Sequence, residues 1–424
     1  MTPEIKQRIE QICRGEVPDG YKKGKLGVVP EEWEETSFST LFTSTSDYTD
    51  DLEKYPLYSL TIEDGITPKT ERYERSHLVK KEDSYKIVRP NDYAYNPMNL
   101  RFGAVARHKG DMPVAVSGYY DIFTTVHESD LPFMDSFLTC GPMITYYNRV
   151  STGSLVEKQR VHFSQFLEFM LPLPSINERT KIATILTTQD KIIELKEKRL
   201  AEKQRQKKHL MQQLLTGKKR LPGFSGKWIR IRIGNSHYTK IDYDSLTNNT
   251  NKDFEFEYIT LENVNNGFLK ETIHCTFETA PSRARRVVHK DDILYGTVRP
   301  NLHSHLLAGE LLEGMVCSTG FCVIQCNPSH LLPYFLYSAI FLEDIDRQAK
   351  RIMSGSNYPA ISSSDVKNMK IDIPCNIKEQ EAITSVLSVA DREIDLLQQD
   401  IQQEKQKKKA LMQLLLTGIV RMKT

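Results

Sequence analysis

Residues 176–217 read INERTKIATILTTQDKIIELKEKRLAEKQRQKKHLMQQLLTG, and residues 377–418 read IKEQEAITSVLSVADREIDLLQQDIQQEKQKKKALMQLLLTG. The two stretches align without a gap at an offset of 201 residues, and both end in the pattern LMQxLLTG. A long repeat of this kind is the signature of a duplicated structural unit. The chain is therefore predicted to contain two copies of one unit.

The repetition continues upstream of both stretches, although more faintly. The matching pairs are Pro174 with Pro374, Gly153 with Gly355, Leu131-Pro132-Phe133 with Leu332-Pro333-Tyr334, Asp92 with Asp292, and Trp33 with Trp228. Each unit is therefore a variable globular domain followed by a long helix. We predict an N-terminal segment and first globular domain at 1–170, a first helix at 171–221, a second globular domain at 222–370 and a second helix at 371–424.

Both repeated stretches carry the pattern of a helix with an apolar seam. The seam positions recur in alternating steps of four and three, which is the heptad pattern of coiled coils. Capping signals precede both helices, Ser175 with Glu178 and Asn376 with Glu379, and a glycine ends each of them. The residues predicted to pair the helices are Ile182, Leu186, Ile193, Leu200, Leu210 and Leu214 in the first copy, and Ile383, Leu387, Ile394, Ile401, Leu411 and Leu415 in the second.

The middle of each seam is polar, with Lys203 and Lys207 in the first copy and Glu404 and Lys408 in the second. One interpretation is two separate surface helices that carry runs of charge. The other is that the helices pack on each other, with the polar positions setting their register. Pairing is the preferred interpretation, because a helix of this length rarely stands alone in water. Apolar ends and polar middles suit an antiparallel pair.

Composition indicates a globular protein that does not span a membrane. The chain has 424 residues, 26% of them charged, and a net charge of only +2, so a basic surface must come from an uneven distribution of charge. The N-terminus lacks a signal peptide, and we expect a cytoplasmic protein. Seven scattered cysteines do not form a disulfide framework. Cys317, Cys322 and Cys326 are read as buried thiols in preference to a zinc site.

Short alternating apolar runs separated by Gly, Pro and Asn indicate irregular sheets in both globular domains, so we predict an α+β fold. Basic and polar residues cluster in the loops, and Arg, Asn and Tyr are side chains that read base edges and hold phosphates. Each of them alone is also compatible with a solvated surface position. The candidate DNA-binding residues are Lys69, Arg72, Arg75, Asn99, Arg101, Arg107 and Lys109 in the first domain, and Arg283, Arg285, Arg286, Arg299, Asn301, Arg351, Asn357 and Tyr358 in the second.

The sequence carries no complete catalytic motif. Asn96-Pro97-Met98-Asn99 lacks the second proline and the aromatic residue of an adenine methyltransferase loop, and the segment 223–228 fails the phosphate-loop spacing. Asp365-Val366-Lys367 is a fragment of a nuclease triad without an acidic partner. His303 and His305 are read as structural in preference to a metal pair. We predict a chain without catalytic residues, without a metal site and without a cofactor of its own.

The order of these features resembles the specificity subunits of type I restriction–modification enzymes. The resemblance rests on GYKKGKLGVVPEEW at 20–33, VRPND at 88–92, LPLP before the first helix, LPGFSGKW at 221–228, DILY at 292–295 and IDIP before the second helix. It covers essentially the whole chain. One departure is Gly226-Lys227-Trp228, which shortens the usual Gly-x-x-Pro-x-x-Trp form and puts the local turn in doubt.

This resemblance implies a division of labour between subunits. Each globular domain becomes a target-recognition domain that reads one half of a split site in double-stranded DNA, and the helices form the spacer between the halves. Two methyltransferase subunits are implied as partners, together with restriction and translocase subunits. S-adenosylmethionine, ATP and magnesium are then expected on those partners. There are two alternatives: a diverged DNA-modifying enzyme (a fused methyltransferase or nuclease) and a coiled-coil scaffold that does not bind DNA.

Overall fold

The computed structural model describes residues 2–69, 85–153, 159–265, 267–354 and 359–422. Its internal contacts divide the chain into two units: unit 1 is Met1–Glu197 with Gln399–Thr424, and unit 2 is Lys198–Gln398. Each unit therefore combines one globular domain with the beginning of one long helix and the end of the other. Within the described residues, no helix is long and apolar enough to cross a membrane.

Unit 1 mixes short strands with short helices and ends in the first part of a long helix. Its elements are α1 (Pro3–Cys13), β1 (Tyr21–Gly24), β2 (Gly27–Pro30), β3 (Glu34–Ser37), α2 (Phe38–Leu41), β4 (Phe42–Ser44), β5 (Tyr48–Thr49), β6 (Tyr58–Thr61), β7 (Gly65–Pro68), β8 (Tyr85–Val88), β9 (Tyr93–Tyr95), β10 (Val105–Arg107), β11 (Val114–Ser117), β12 (Asp121–Thr125), α3 (Leu131–Phe137), α4 (Gly141–Val150), α5 (Phe163–Leu167), β13 (Met170–Leu173) and α6 (Ile176–Leu214).

The domain of unit 1 is built on two small antiparallel sheets, ordered β10-β9-β12-β4 and β11-β8-β5. Aromatic side chains fill the core beside the larger sheet: Phe38, Phe42, Phe123 and Phe166 pack with ring centres 5.0 to 5.7 Å apart. Large buried rings of this kind contribute much of the apolar area of a small domain. Strand β13 pairs antiparallel with β3, which brings the end of the domain back to its beginning just before α6 starts.

Unit 2 repeats this plan with a larger second sheet. Its elements are β14 (Trp228–Arg232), β15 (Thr239–Ile241), β16 (Glu255–Ile259), β17 (Val264–Asn265), β18 (Phe268–Leu269), β19 (Ile273–Thr276), β20 (Ala284–Val287), β21 (Ile293–Gly296), β22 (Leu306–Leu307), β23 (Val316–Ser318), β24 (Phe321–Cys326), α7 (Pro333–Ala339), α8 (Glu343–Ile352), α9 (Ser363–Asn368), β25 (Lys370–Pro374) and α10 (Ile377–Leu416).

The sheets of unit 2 run β15-β24-β21-β22 and β19-β16-β23-β20. All their pairings are antiparallel except β16 with β23, which is parallel. Strand β14 pairs with β25 just before α10, as β3 pairs with β13 just before α6. Cys317, Cys322 and Cys326 are free thiols buried in the core. The predicted α+β fold is confirmed.

The long helices pair in antiparallel orientation within each unit. In unit 1, Asp190 and Glu197 of α6 form ion pairs with Lys408 and Lys405 of α10, so one helix ascends as the other descends. In unit 2, Lys203 and Lys207 of α6 pair with Glu393 and Asp391 of α10. The polar seam residues are thus matched in charge, and the interpretation as two separate surface helices is wrong. The antiparallel coiled coil is confirmed.

Apolar seam residues are buried at both ends of the paired helices and near their middle. Ile182, Leu186 and Leu415 are buried in the core of unit 1, with Leu411 packed against it. In unit 2, Leu214, Ile383 and Leu387 are buried in the core, with Leu210 packed against it. Nearer the middle of the helices, Ile193, Ile394 and Ile401 are buried and Leu200 is half-buried. Both ends of the coiled coil are therefore parts of the globular cores.

Candidate nucleic-acid interface

One short 3-10 turn recurs at the same place in both units. It spans Leu100–Phe102 in unit 1 and Pro300–Leu302 in unit 2, each a few residues after a central strand, β9 or β21. Each turn ends on a residue in the left-handed region, Gly103 at φ 94° and His303 at φ 52°. We refer to residues 96–103 as the first loop and to residues 296–303 as the second loop.

The first loop is held on two sides. The side-chain amide of Asn148, on α4, donates a hydrogen bond of 2.7 Å to the carbonyl oxygen of Arg101. The backbone N–H of Val161 donates to the carbonyl oxygen of Pro97 at 3.1 Å. The first loop therefore lies between α4 and the segment that precedes α5.

The second loop is held in the corresponding way. The Nε2 atom of His303 lies 2.9 Å from a carboxylate oxygen of Asp346, on α8. The backbone N–H of Arg299 donates to the carbonyl oxygen of Pro359 at 2.8 Å, and that of Ile361 donates to Thr297 at 3.0 Å. Both loops thus have the same two supports, a helix and an extended segment, although their sequences differ.

The two loops display the predicted types of side chain. Asn99 in the first loop and Arg299 and Asn301 in the second are exposed. The guanidinium of Arg101 donates to the side-chain oxygen of Gln159 at 3.1 Å and lies 4.5 Å from the centre of the Phe102 ring. Its buried Nε atom has no hydrogen-bond partner among the described residues. Each loop therefore combines an amide with a guanidinium, the groups suited to adenine and guanine edges.

A third candidate of the second domain lies on a helix that contacts its loop. Arg351 is exposed near the end of α8, and that helix packs against the 3-10 turn of the second loop. The helix that carries Arg351 is therefore a neighbour of the loop that carries Arg299 and Asn301. Arg72, Arg75, Asn357 and Tyr358 lie outside the described residues.

Two of the candidate arginines are engaged inside their own domains. The guanidinium of Arg107 donates to both carboxylate oxygens of Asp135, at 2.9 and 2.8 Å, and to the side chain of Asn91. Arg286 pairs with Asp242 at 2.9 Å. Only 17% and 14% of these two arginine side chains are exposed. We therefore assign both to domain stability: the bidentate pair with Asp135 fixes the guanidinium of Arg107 in place, and the guanidinium of Arg286 is largely buried beside Asp242.

The carboxyl group of Asp135 reflects this arrangement. Burial alone would raise its pKa, but hydrogen bonds from Arg107 and the charges of Lys109 and Arg107 lower the pKa below the ordinary value of an aspartate. Lys109 remains largely exposed, although its ammonium lies 3.2 Å from Asp135. It is accordingly accessible in a way that Arg107 is not.

The remaining candidates lie on other parts of the surface. Lys69 and Arg283 are exposed. Arg285 is half-buried, with its guanidinium 4.7 Å from the centre of the Phe277 ring and a hydrogen bond to the carbonyl oxygen of Ala284.

His303, at the end of the second loop, and His305, just after it, have structural roles. His305 is fully buried, and burial lowers its pKa to about 3, so its ring is neutral. Its Nδ1 atom accepts a hydrogen bond from the backbone N–H of Gly296, and its ring stacks on Tyr295. His303 faces Asp346. Within the described part of the chain, no three His, Cys, Asp or Glu side chains are grouped so as to hold a metal ion.

A buried cluster of Trp, Glu and Arg recurs in each unit and was not predicted. In unit 1, Glu178 at the start of α6 receives hydrogen bonds from Arg421 at 2.9 and 3.0 Å and from the indole N–H of Trp33 at 3.3 Å. In unit 2, Glu379 at the start of α10 receives them from Arg220 and from Trp228. We call these the first and second Trp–Glu–Arg clusters. All six residues repeat in the sequence, which is the signal that could have revealed them.

These clusters correct the predicted capping boxes. Ser175 does accept a weak hydrogen bond from the backbone N–H of Glu178, at 3.4 Å. In a capping box the side chain of Glu178 would accept a hydrogen bond from the backbone at the start of its own helix. Here it accepts hydrogen bonds from Arg421 instead. Burial alone would raise the pKa of Glu178, but hydrogen bonds from Arg421 and Met422 lower it. The arginine is the preferred partner because a charged donor binds a carboxylate more strongly than a peptide N–H does.

The chain is similar in sequence to known proteins, one family over part of its length and one relative over nearly all of it. Residues 233–406 match the family described as the type I restriction modification DNA specificity domain. The chain is 23% identical to the putative type I restriction enzyme MjaX specificity subunit of Methanocaldococcus jannaschii, covering 96% of this chain and 98% of that protein. It is 26% identical to the type I restriction enzyme HindI specificity subunit of Haemophilus influenzae, over 38% of this chain and 37% of that protein.

A solved structure has a similar fold. The crystal structure of the S subunit of a type I restriction–modification system from M. genitalium superposes with a TM-score of 0.54 at 13% identity, covering 91% of this chain and 96% of that chain. At this identity the likeness concerns the fold alone. Together with the sequence similarities, it confirms the resemblance inferred from the order of the motifs.

Proposed function

This chain is related over nearly its whole length to the specificity subunits of type I restriction–modification enzymes, and from that premise we propose that it reads a DNA target split into two half-sites, one for each unit. The observation that carries the proposal is the recurrence of one supported loop in both units. Each loop offers an amide and a guanidinium on a backbone fixed by hydrogen bonds. Asn reads adenine and Arg reads guanine through paired hydrogen bonds in the major groove.

The proposal assigns no catalytic residue to this chain. Two methyltransferase subunits would dock on its equivalent halves and would carry S-adenosylmethionine, because the target adenine must be flipped out of the duplex into an active site. Restriction and translocase subunits, with ATP and magnesium, would join the same assembly in the cytoplasm. This chain would supply the binding free energy, the register and the choice of sequence.

The test is to map methylated adenines in DNA exposed to the full chain assembled with its methyltransferase subunits. The assembly with the unchanged chain should modify one split motif. Asn99→Ala should relax or weaken recognition of one half of that motif, and Asn301→Ala should do so for the other half. Losing one good pair of base contacts should cost about 1–3 kcal/mol in binding.

Asn249→Ala provides a matched control, since Asn249 is exposed in unit 2 but lies in a separate turn. It should leave the whole motif unchanged. Equal relaxation of both halves by Asn99→Ala or by Asn301→Ala would refute the assignment of one half-site to each unit. Methylation without any sequence preference would refute the proposal as a whole.

A further inference from the structure

Each 3-10 loop exposes one large apolar side chain among polar neighbours. Phe102 in the first loop is 50% exposed, and Leu302 in the second is 54% exposed. They occupy the same position, the last residue of the 3-10 turn. Exposed apolar residues are common when taken singly, but a repeated position in two loops of different sequence points to a shared use.

The backbone fixes where these two side chains point. The N–H of Phe102 donates to Asn99 at 2.9 Å, and that of the following glycine donates to Leu100 at 2.8 Å. In the second loop, the N–H of Leu302 donates to Arg299 at 2.8 Å. Both side chains therefore project from hydrogen-bonded turns, so little backbone conformational entropy would be lost when they contact a ligand.

The surroundings of Phe102 restrict the kind of contact it can make. The guanidinium of Arg101 lies 4.5 Å from the ring centre and covers one face. A ring covered in this way cannot enter the base stack with both faces free, but half of the residue remains exposed. Leu302 has no aromatic face at all. The property common to Phe102 and Leu302 is an apolar tip beside hydrogen-bonding side chains.

We propose that Phe102 and Leu302 are specificity-determining residues that contact the 5-methyl group of a thymine, one in each half-site. The inference rests on the proposed function. The thymine methyl is the one apolar group that base pairs display in the major groove, where the neighbouring Asn and Arg side chains would read hydrogen bonds. Each loop would then read a base edge and an adjacent methyl group together.

The experiment removes the methyl group from the DNA and the apolar side chain from the protein, separately and together. Deoxyuridine in place of thymidine keeps every Watson–Crick hydrogen bond and lacks only the methyl. Dissociation constants are measured for the full chain assembled with its methyltransferase subunits, on its mapped target, with each thymine of each half-site replaced in turn.

One thymine in each half-site should be sensitive to this replacement. With the unchanged chain, uridine there should weaken binding about fourfold, the loss of one buried methyl group. Phe102→Ala should weaken binding at least as much and should abolish the uridine effect in one half-site only. Leu302→Ala should do the same in the other half-site.

Two exposed apolar residues in acidic segments serve as matched controls. Val126 of unit 1 lies two residues before Glu128, and Leu311 of unit 2 follows Glu310. They are 49% and 89% exposed. Because the carboxylates beside them would repel phosphates, Val126→Ala and Leu311→Ala should leave both the affinity and the uridine effect unchanged.

The outcomes separate this inference from the function on which it rests. A deoxyuridine effect that persists in Phe102→Ala and Leu302→Ala would overturn the inference, and so would half-sites that contain no thymine. Neither result would affect the proposed recognition of a split target. Absence of any split target would instead overturn the proposed function and the inference with it.

Discussion

The imidazole of His289 lies between two carboxylates in unit 2. Its Nε2 atom is 2.9 Å from Asp244 and its Nδ1 atom is 2.8 Å from Glu313. Because both ring nitrogens face acceptors, the protonated ring is favoured. The hydrogen bond with Asp244 is the largest cause that raises the pKa of His289 above its ordinary value, and the one with Glu313 adds to it.

The raised pKa predicts how the stability of unit 2 depends on pH. A histidine with a raised pKa contributes stability that is complete below its unfolded pKa of about 6.5 and is lost as pH rises through the folded value. The urea midpoint of the protein should therefore fall as pH rises above about 6.5, and His289→Gln should flatten that fall. His127→Gln, at an exposed site of unit 1, should preserve it. An identical pH profile in His289→Gln would exclude this role.

Single residues also show where sequence-based prediction reaches its limit. The types of side chain in the two 3-10 loops were readable from Asn99, Arg101, Arg299 and Asn301. The sequence did not indicate that Arg107 forms an ion pair, because its partner Asp135 lies 28 residues away and contacts it only in the folded domain. Composition identifies basic loops, but it does not tell a paired guanidinium from an accessible one.

Among the elements, the long helices were predicted most closely. Helices α6 and α10 span Ile176–Leu214 and Ile377–Leu416, inside the predicted segments 171–221 and 371–424. A heptad repeat with a glycine stop is a local signal, and here it occurs twice. Strand pairing is not local: nothing in the sequence indicated that β16 would pair parallel with β23, since sheet partners are selected by tertiary packing.

The Trp–Glu–Arg clusters join these helices to the globular domains. Glu178→Ala should leave Arg421 with only the exposed carboxylate of Glu32, 2.9 Å away, and should destabilise unit 1 by about 2 kcal/mol. The side chains of Glu178 and Arg421 are 5% and 16% exposed, which supports a large effect. Hydrogen exchange should accelerate around Trp33 and at the start of α6.

Glu379→Ala is the mirror variant and should accelerate exchange around Trp228 and at the start of α10. Glu202, exposed on α6, offers a control at which Glu→Ala should leave both regions protected. If Glu178→Ala left exchange around Trp33 as slow as in the unchanged protein, the cluster would have no role in holding the domain on its helix.

Considered as a whole molecule, the chain builds unit 1 from two distant parts of its sequence and unit 2 from one continuous part, Lys198–Gln398. Unit 1 takes Met1–Glu197 and also Gln399–Thr424, so the two chain ends belong to the same unit. Each long helix passes without a break from one unit into the other. The predicted segments divide the chain in sequence order, whereas the two units are defined by internal contacts. The two divisions differ because, in an antiparallel pair, the start of one helix packs against the end of its partner.

Under the proposed function, the length of the helices sets the gap between the half-sites. Inserting one heptad after Glu197 and another after Gln398 preserves the seam in both helices. Seven residues add roughly 10 Å of helix, so the unread gap should lengthen by about three base pairs while both half-site sequences stay the same. Methylation mapping measures both quantities.

A heptad inserted into α6 alone supplies the control, since it breaks the match between the two seams and should abolish ordered recognition. A double insertion that left the gap unchanged would show that the helices do not determine the spacing.

The most direct test of the central claim is selection of DNA from a random library by the full chain assembled with its methyltransferase subunits, followed by sequencing of the bound fraction. Two readers in one chain predict two conserved blocks separated by a fixed number of unconserved base pairs. A single uninterrupted block, or a bound fraction no different from the starting library, would contradict that claim.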